Sequence, residues 1–146
     1  MWKIKILALI FLFGASCFYY SQSKKNTPSR FKYVKIGNME GKIDATDFKF
    51  LGSETKYMQL LQEFEKSFSK INKGYPNYYR DYRFIEYTSP KYLKVSLIPK
   101  QIVSNEDKKK LYLWNIPLDT KVLEVYYNIK TKKIDDILET TPGTIE

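Results

Sequence analysis

Histidine is absent from this chain, and cysteine occurs once, as Cys17. Without an imidazole no side chain ordinarily exchanges protons near neutral pH, and neither a Ser-His-Asp nor a Cys-His arrangement can be assembled. Beyond Cys17 there is no thiol, which excludes a disulfide, a thiolate nucleophile and the Cys/His sets that hold zinc. The glycines are equally uninformative about chemistry. Gly37, Gly41 and Gly52 are too widely spaced to form a phosphate-cradling loop, so they read as turn residues. No cofactor is expected. A domain without crosslinks or metal must be held by its core, and residues 31–138 are rich enough in Tyr, Phe, Ile, Leu and Val to supply one.

What the chain does have is an oily start. MWKIKILALIFLFGASCFYY carries Lys3 and Lys5, an unbroken apolar run over residues 6–13, the small residues Gly14-Ala15-Ser16, then Cys17 and Phe18-Tyr19-Tyr20. Residues 1–20 therefore read as a signal or anchor segment, and three fates fit. In a cleaved secretory signal, Gly14-Ala15-Ser16 is the cleavage site. Gly14-Ala15-Ser16-Cys17 also resembles the bacterial lipobox, which implies lipidation of Cys17, although Gly14 stands where that pattern usually has Leu. In an uncleaved anchor, residues 4–20 fall short of the roughly 20 that a spanning helix needs, and Trp2 and the aromatic trio mark the two interfaces. Each fate places the remainder in the cell envelope or beyond it, facing the periplasm or exterior. Residues 21–30, SQSKKNTPSR, have the composition of a flexible linker.

Domain signals begin at Phe31. Residues 31–36 read as a strand stopped by Gly37-Asn38, and residues 41–52 as a loop, or a second short strand around 47–51. Tyr57, Leu60, Leu61, Phe64, Phe68 and Ile71 recur at helical spacing, with Ser53 as N-cap and Gly74 beyond the end, which predicts an amphipathic helix over 54–72. Strands are expected at 82–87, 92–98, 111–116, 122–129 and 134–138, with a polar connection over 101–110 and a flexible tail over 139–146. The fold class is thus α+β: one helix packed on a curled antiparallel sheet of four to five strands, forming a single domain over 31–138.

That order of elements resembles the cystatin-like and NTF2-like folds, in which such a sheet cradles a helix. Gln101-Ile102-Val103-Ser104-Asn105 is similar to the Q-x-V-x-G hairpin of cystatins, with Asn105 in place of Gly. The resemblance in outline implies no activity. Ser53-Glu54-Thr55-Lys56 has the S-x-x-K spacing of penicillin-recognising enzymes, and Lys130-Thr131-Lys132 is similar to their K-T-G. Ser is equally the preferred N-cap, and the chain is too short for that fold. Asp135, Asp136 and Glu139 lack the spacing of an EF-hand loop and read as a solvated edge.

Two surface features remain. The net charge is +9, with lysine runs at Lys24-Lys25, Lys108-Lys109-Lys110 and Lys130-Thr131-Lys132-Lys133. Lys108, Lys109 and Lys110 are candidates for contacting an anionic glycan or lipid head groups, against the plainer reading of a solubilising surface. The second feature is Tyr75-Pro76-Asn77-Tyr78-Tyr79-Arg80-Asp81-Tyr82-Arg83, where Tyr, Tyr, Arg and Arg suit a protein interface. Tyr78, Tyr79, Arg80 and Arg83 are the candidate partner-binding residues. An exported domain seldom meets nucleic acid, so none is expected as partner. The sequence therefore points to a membrane-tethered, non-catalytic module that binds an envelope or exported protein, of immunity type or an accessory of an envelope assembly. Its alternative is a basic module for anionic glycan or lipid.

Overall fold

The computed structural model describes residues 30–86, 88–110 and 116–141. Cys17, the segment 1–20 and linker residues 21–29 lie outside the described residues, as do 111–115 of the strand expected at 111–116. The described chain forms β1 (Phe31–Ile36), β2 (Met39–Asp44), α1 (Phe48–Leu51), α2 (Glu54–Phe68), β3 (Tyr78–Ile85), β4 (Tyr92–Pro99), α3 (Asn105–Lys110), β5 (Val122–Asn128) and β6 (Lys133–Thr140). It is an α+β fold with a mostly antiparallel sheet of six strands in the order β1-β2-β3-β4-β5-β6.

The expected four to five antiparallel strands need correction in number and direction. β2 takes in the start of the segment 41–52 expected as a loop: Met39-Glu40-Gly41-Lys42-Ile43-Asp44 has little apolar alternation, yet Gly41, Lys42, Ile43 and Asp44 are all buried. It pairs antiparallel with β1 and parallel with β3, so α1 and α2 form the crossover between parallel neighbours. The segment 47–51 is helical instead of extended. Asp44 accepts from the Thr46 amide to start a 3-10 turn, Gly52 ends α1 with φ +84°, and the Ser53 hydroxyl caps α2 by accepting from the Lys56 amide at 3.2 Å. β3 begins at Tyr78, earlier than expected, and β6 runs through Glu139 and Thr140, two residues that the sequence assigned to the tail. The cystatin-like hairpin is also corrected: Lys100–Ile102 form a 3-10 turn, Val103 is buried, and Asn105 opens α3.

α2 lies on the inner face of the sheet. Its buried stripe of Tyr57, Leu60, Leu61, Phe64 and Phe68 meets Ile43, Tyr82, Leu93, Val95, Leu97, Val125 and Tyr127. Each fully buried Leu or Phe contributes about 2 kcal/mol, so this contact is the main source of stability. Phe64 packs edge-on to Tyr82 and Tyr127 at ring separations of 6.3 and 5.7 Å.

The helix stops at Phe68, short of the expected residue 72: Ile71 is already extended at φ −104°, and the chain then enters the left-handed region. Asn72, Lys73, Gly74 and Tyr75 have φ of +44°, +53°, +69° and +51°. Such backbone is unfavourable for the three non-glycine residues and needs outside support. Arg80, fully buried on β3, supplies it by donating to the carbonyls of Gly74, Tyr75 (2.9 Å) and Tyr78 (2.7 Å). The same guanidinium reaches Glu65 of α2, Nε to Oε1 at 3.1 Å, and Tyr82 donates to that carboxylate at 2.7 Å. β2 makes room for it. A Cβ on Gly41 would lie 2.7 Å from Arg80 Cβ and 2.7 Å from a Tyr82 ring carbon.

That close approach predicts a graded result in urea unfolding. Gly41→Ala should lower stability by about 2 kcal/mol through overpacking. Gly37→Ala, which meets nothing within 4 Å but has φ +58°, should cost about 1 kcal/mol.

Candidate functional site

The outer face of the sheet carries the polar half of the period-2 alternation. One end of it is roofed: the connection from β4 to β5 packs Val103, Ile102 and Ile116 over Tyr79, Ile98 and Val122. Lys108 of α3 reaches down to Glu40 of β2 at 3.1 Å. The rest of that face carries an ionic mesh around β1, β2 and β3, and an aromatic trough across β4, β5 and β6.

The mesh centres on Asp44 and Phe31. One Asp44 oxygen accepts from the Thr46 amide at 2.9 Å and hydroxyl at 2.7 Å, and the other from Arg30 Nε at 2.7 Å and Arg83 Nη1 at 2.9 Å. Burial alone would raise this carboxyl, but the hydrogen bonds from Arg30 and Thr46 outweigh it and hold it at about 2. Asp81 accepts from Arg83 Nε at 3.0 Å and pairs with Lys42 at 3.3 Å. Arg30, Lys42 and Arg83 all lie over the Phe31 ring, at 5.4, 5.7 and 4.7 Å from its centroid. Phe31 and Asp44 thus gather three cations that would otherwise repel one another.

The trough is a cavity of about 320 Å³ lined by Tyr92, Tyr126, Asp135, Asp136 and Leu138. The two rings stand 6.0 Å apart and nearly perpendicular, at 87°. Each is fixed by its hydroxyl: Tyr92 donates to Asp135 at 3.0 Å and Tyr126 to Glu124 at 3.0 Å. A β-bulge creates the first of these contacts. Register shifts between Tyr126 and Tyr127, Asp135 becomes the extra residue on β6, and its carboxylate also accepts from Asn128 Nδ2 at 3.0 Å. Both phenols are pushed above their usual range, Tyr92 chiefly by the bond to Asp135 and Tyr126 by burial and the bond to Glu124.

The residues singled out in the sequence do not converge. β3 alternation sends Tyr78 and Arg80 to the helix face and Tyr79 and Arg83 to the outer face. Tyr78 is half-buried with its ring edge-on to Tyr75. Tyr79 is buried under the roof, its hydroxyl has no hydrogen-bond partner among the described residues, and burial pushes its phenol up. Arg80 is a core residue, so only Arg83, 29% exposed, keeps an outward side chain in the mesh. Lys108 is paired with Glu40, and the side chains of Lys109 and Lys110 lie outside the described residues. The Ser53 hydroxyl is occupied as a cap. Glu139 pairs with Lys121 at 2.8 Å, and among the described residues no three His, Cys, Asp or Glu side chains gather as a metal set. The trough escaped sequence reading, although alternation in β4 and β5 already puts Tyr92, Lys94 and Ser96, and Glu124 and Tyr126, on the polar side.

Asp44 gives the mesh a pH signature. Its folded pKa of about 2 lies below the ordinary 3.8, so its contribution is complete above pH 3.8 and lost as pH falls through 2. Urea unfolding should show about 2 kcal/mol disappearing over that window, and Asp44→Asn should be less stable at neutral pH with that part of the dependence removed. Compared with known proteins, the chain matches no family model, no curated protein and no solved structure.

Proposed function

We propose that this chain is a membrane-tethered, non-catalytic binding module that acts outside the cytoplasm on a protein partner, in the manner of an immunity-type protein or an accessory of an envelope assembly. In this reading the domain keeps the cystatin-like or NTF2-like outline and the leader delivers it to the envelope. The observation that carries the reading is the outer sheet face. Among the described residues no helix covers its β4-β5-β6 end, and the face presents Arg83, Tyr92, Tyr126 and the 43%-exposed Leu138 on a strand scaffold. Tyr and Arg are the residue types enriched at interface hot spots, and Leu138 adds exposed apolar surface beside them. Among the described residues no helix is long and apolar enough to cross a membrane, so tethering rests on the sequence of residues 1–20.

The anionic-surface alternative draws less support, because Lys108 and Lys132 are engaged by Glu40 and Glu63. Crosslinking in intact envelopes, followed by recovery of the chain, tests the lead reading. A specific protein should be captured, capture should weaken in Arg83→Glu, and raising salt from ~0.1 M to ~0.5 M should change it little. Recovery of no specific protein, or binding to anionic lipid or glycan that collapses with salt, would overturn it.

A further inference from the structure

The trough on β4, β5 and β6 has a chemistry opposite to that of the chain around it. The protein carries a net charge of +9, yet the trough lining contributes two carboxylates, Asp135 and Asp136, and among the described residues no cation; Lys94, opposite Tyr126 on β4, is held aside by Glu124 at 2.8 Å. Elsewhere this basic chain seats its own lysines and arginines on rings: Arg30, Lys42 and Arg83 on Phe31, Lys32 on Phe48, and Lys49 on Phe50. Among the described residues none of these contacts involves Tyr92 or Tyr126. Their rings are only partly buried and already locked in place by hydroxyl bonds to Asp135 and Glu124. Two perpendicular π-faces beside carboxylates form a preorganised seat for a positive charge, since ring quadrupole and carboxylate attract the same ion and no reordering is needed on binding.

We infer that this trough receives a lysine or arginine side chain from a basic peptide segment of the partner, the ammonium or guanidinium resting on the edge-to-face pair of Tyr92 and Tyr126 and against Asp136 and Asp135. The aliphatic stem then lies along Leu138, 43% exposed at the trough's edge. Asp135 is the orienting member, with Tyr92 and Asn128 as its donors, whereas Asp136 is exposed and, among the described residues, accepts from the adjoining Ile137 amide alone. The inference rests on the binding reading above and adds to it the charge and shape of the group that is recognised.

The full chain in non-ionic detergent, titrated with acetyl-Gly-Arg-Gly-amide and acetyl-Gly-Lys-Gly-amide, tests it through the ring resonances of Tyr92 and Tyr126. Both peptides should shift those resonances saturably, and acetyl-Gly-Glu-Gly-amide should not. Asp136→Asn should weaken binding about fivefold, whereas Glu63→Gln, an equal loss of charge on α2 across the sheet, should leave it unchanged. Tyr126→Leu should remove most of the response, and if that variant is poorly folded the exposed Asp136 position still decides the matter. Unmoved rings, an equal response to the acidic peptide, or equal weakening by Glu63→Gln would each overturn the inference. None of these results touches the binding reading itself, which envelope crosslinking decides separately.

Discussion

Burial of the Arg80 guanidinium is the constraint on which the rest of this domain is arranged. A charged group this deep is tolerated only with a counter-charge and with its remaining donors satisfied. Glu65 provides the first from α2, and the carbonyls of Gly74, Tyr75 and Tyr78 provide the second. The consequences spread outward. Glu65 must face the sheet, which fixes the rotation of α2. The left-handed run at 72–75 is held by the group it wraps, which sets where β3 begins. Gly41 must lack a side chain so that β2 can lie beside Arg80 and Tyr82, which permits the parallel β2–β3 pair.

With the inner face closed by α2, the outer face carries the polar side of the strands. It is organised by charge rather than by apolar packing. Asp44, Asp81, Lys42, Arg83 and Arg30 knit the first three strands around Phe31, and the roof from β4 to β5 is clamped by Lys108 on Glu40. Arg30, just before β1, joins this mesh through Asp44. The far end keeps aromatic rings held rigid by carboxylates. One half of the outer face is thus an ionic mesh and the other an aromatic trough.

Sequence periodicity made the inner layer legible because apolar spacing reports burial against a single face. α2 with its Ser53 cap, β1, β4 and β5 all follow from that signal. β2 did not follow, because Ile43 is the one apolar side chain among its buried positions, the others being a glycine, a paired Lys42 and a paired Asp44, and no hydropathy pattern distinguishes a paired buried charge from an exposed one. The same limit misplaced Arg80. A Tyr-Tyr-Arg cluster looks like an interface in one dimension, whereas strand alternation divides it between a core and an outer face. Glu65, on the apolar stripe of α2, was the available signal, since a carboxylate at a core position calls for a buried cation. The trough required cross-strand register and a bulge, neither of which a single strand's sequence encodes.

A double-mutant cycle on Arg80 and Glu65, followed by urea unfolding, tests this account most directly. Arg80→Met and Glu65→Met should each lower stability by about 3–5 kcal/mol, because each strands a buried charge, and the double variant should lose clearly less than the sum. Single losses below about 0.5 kcal/mol, or strictly additive ones, would show that the buried guanidinium does not organise the fold.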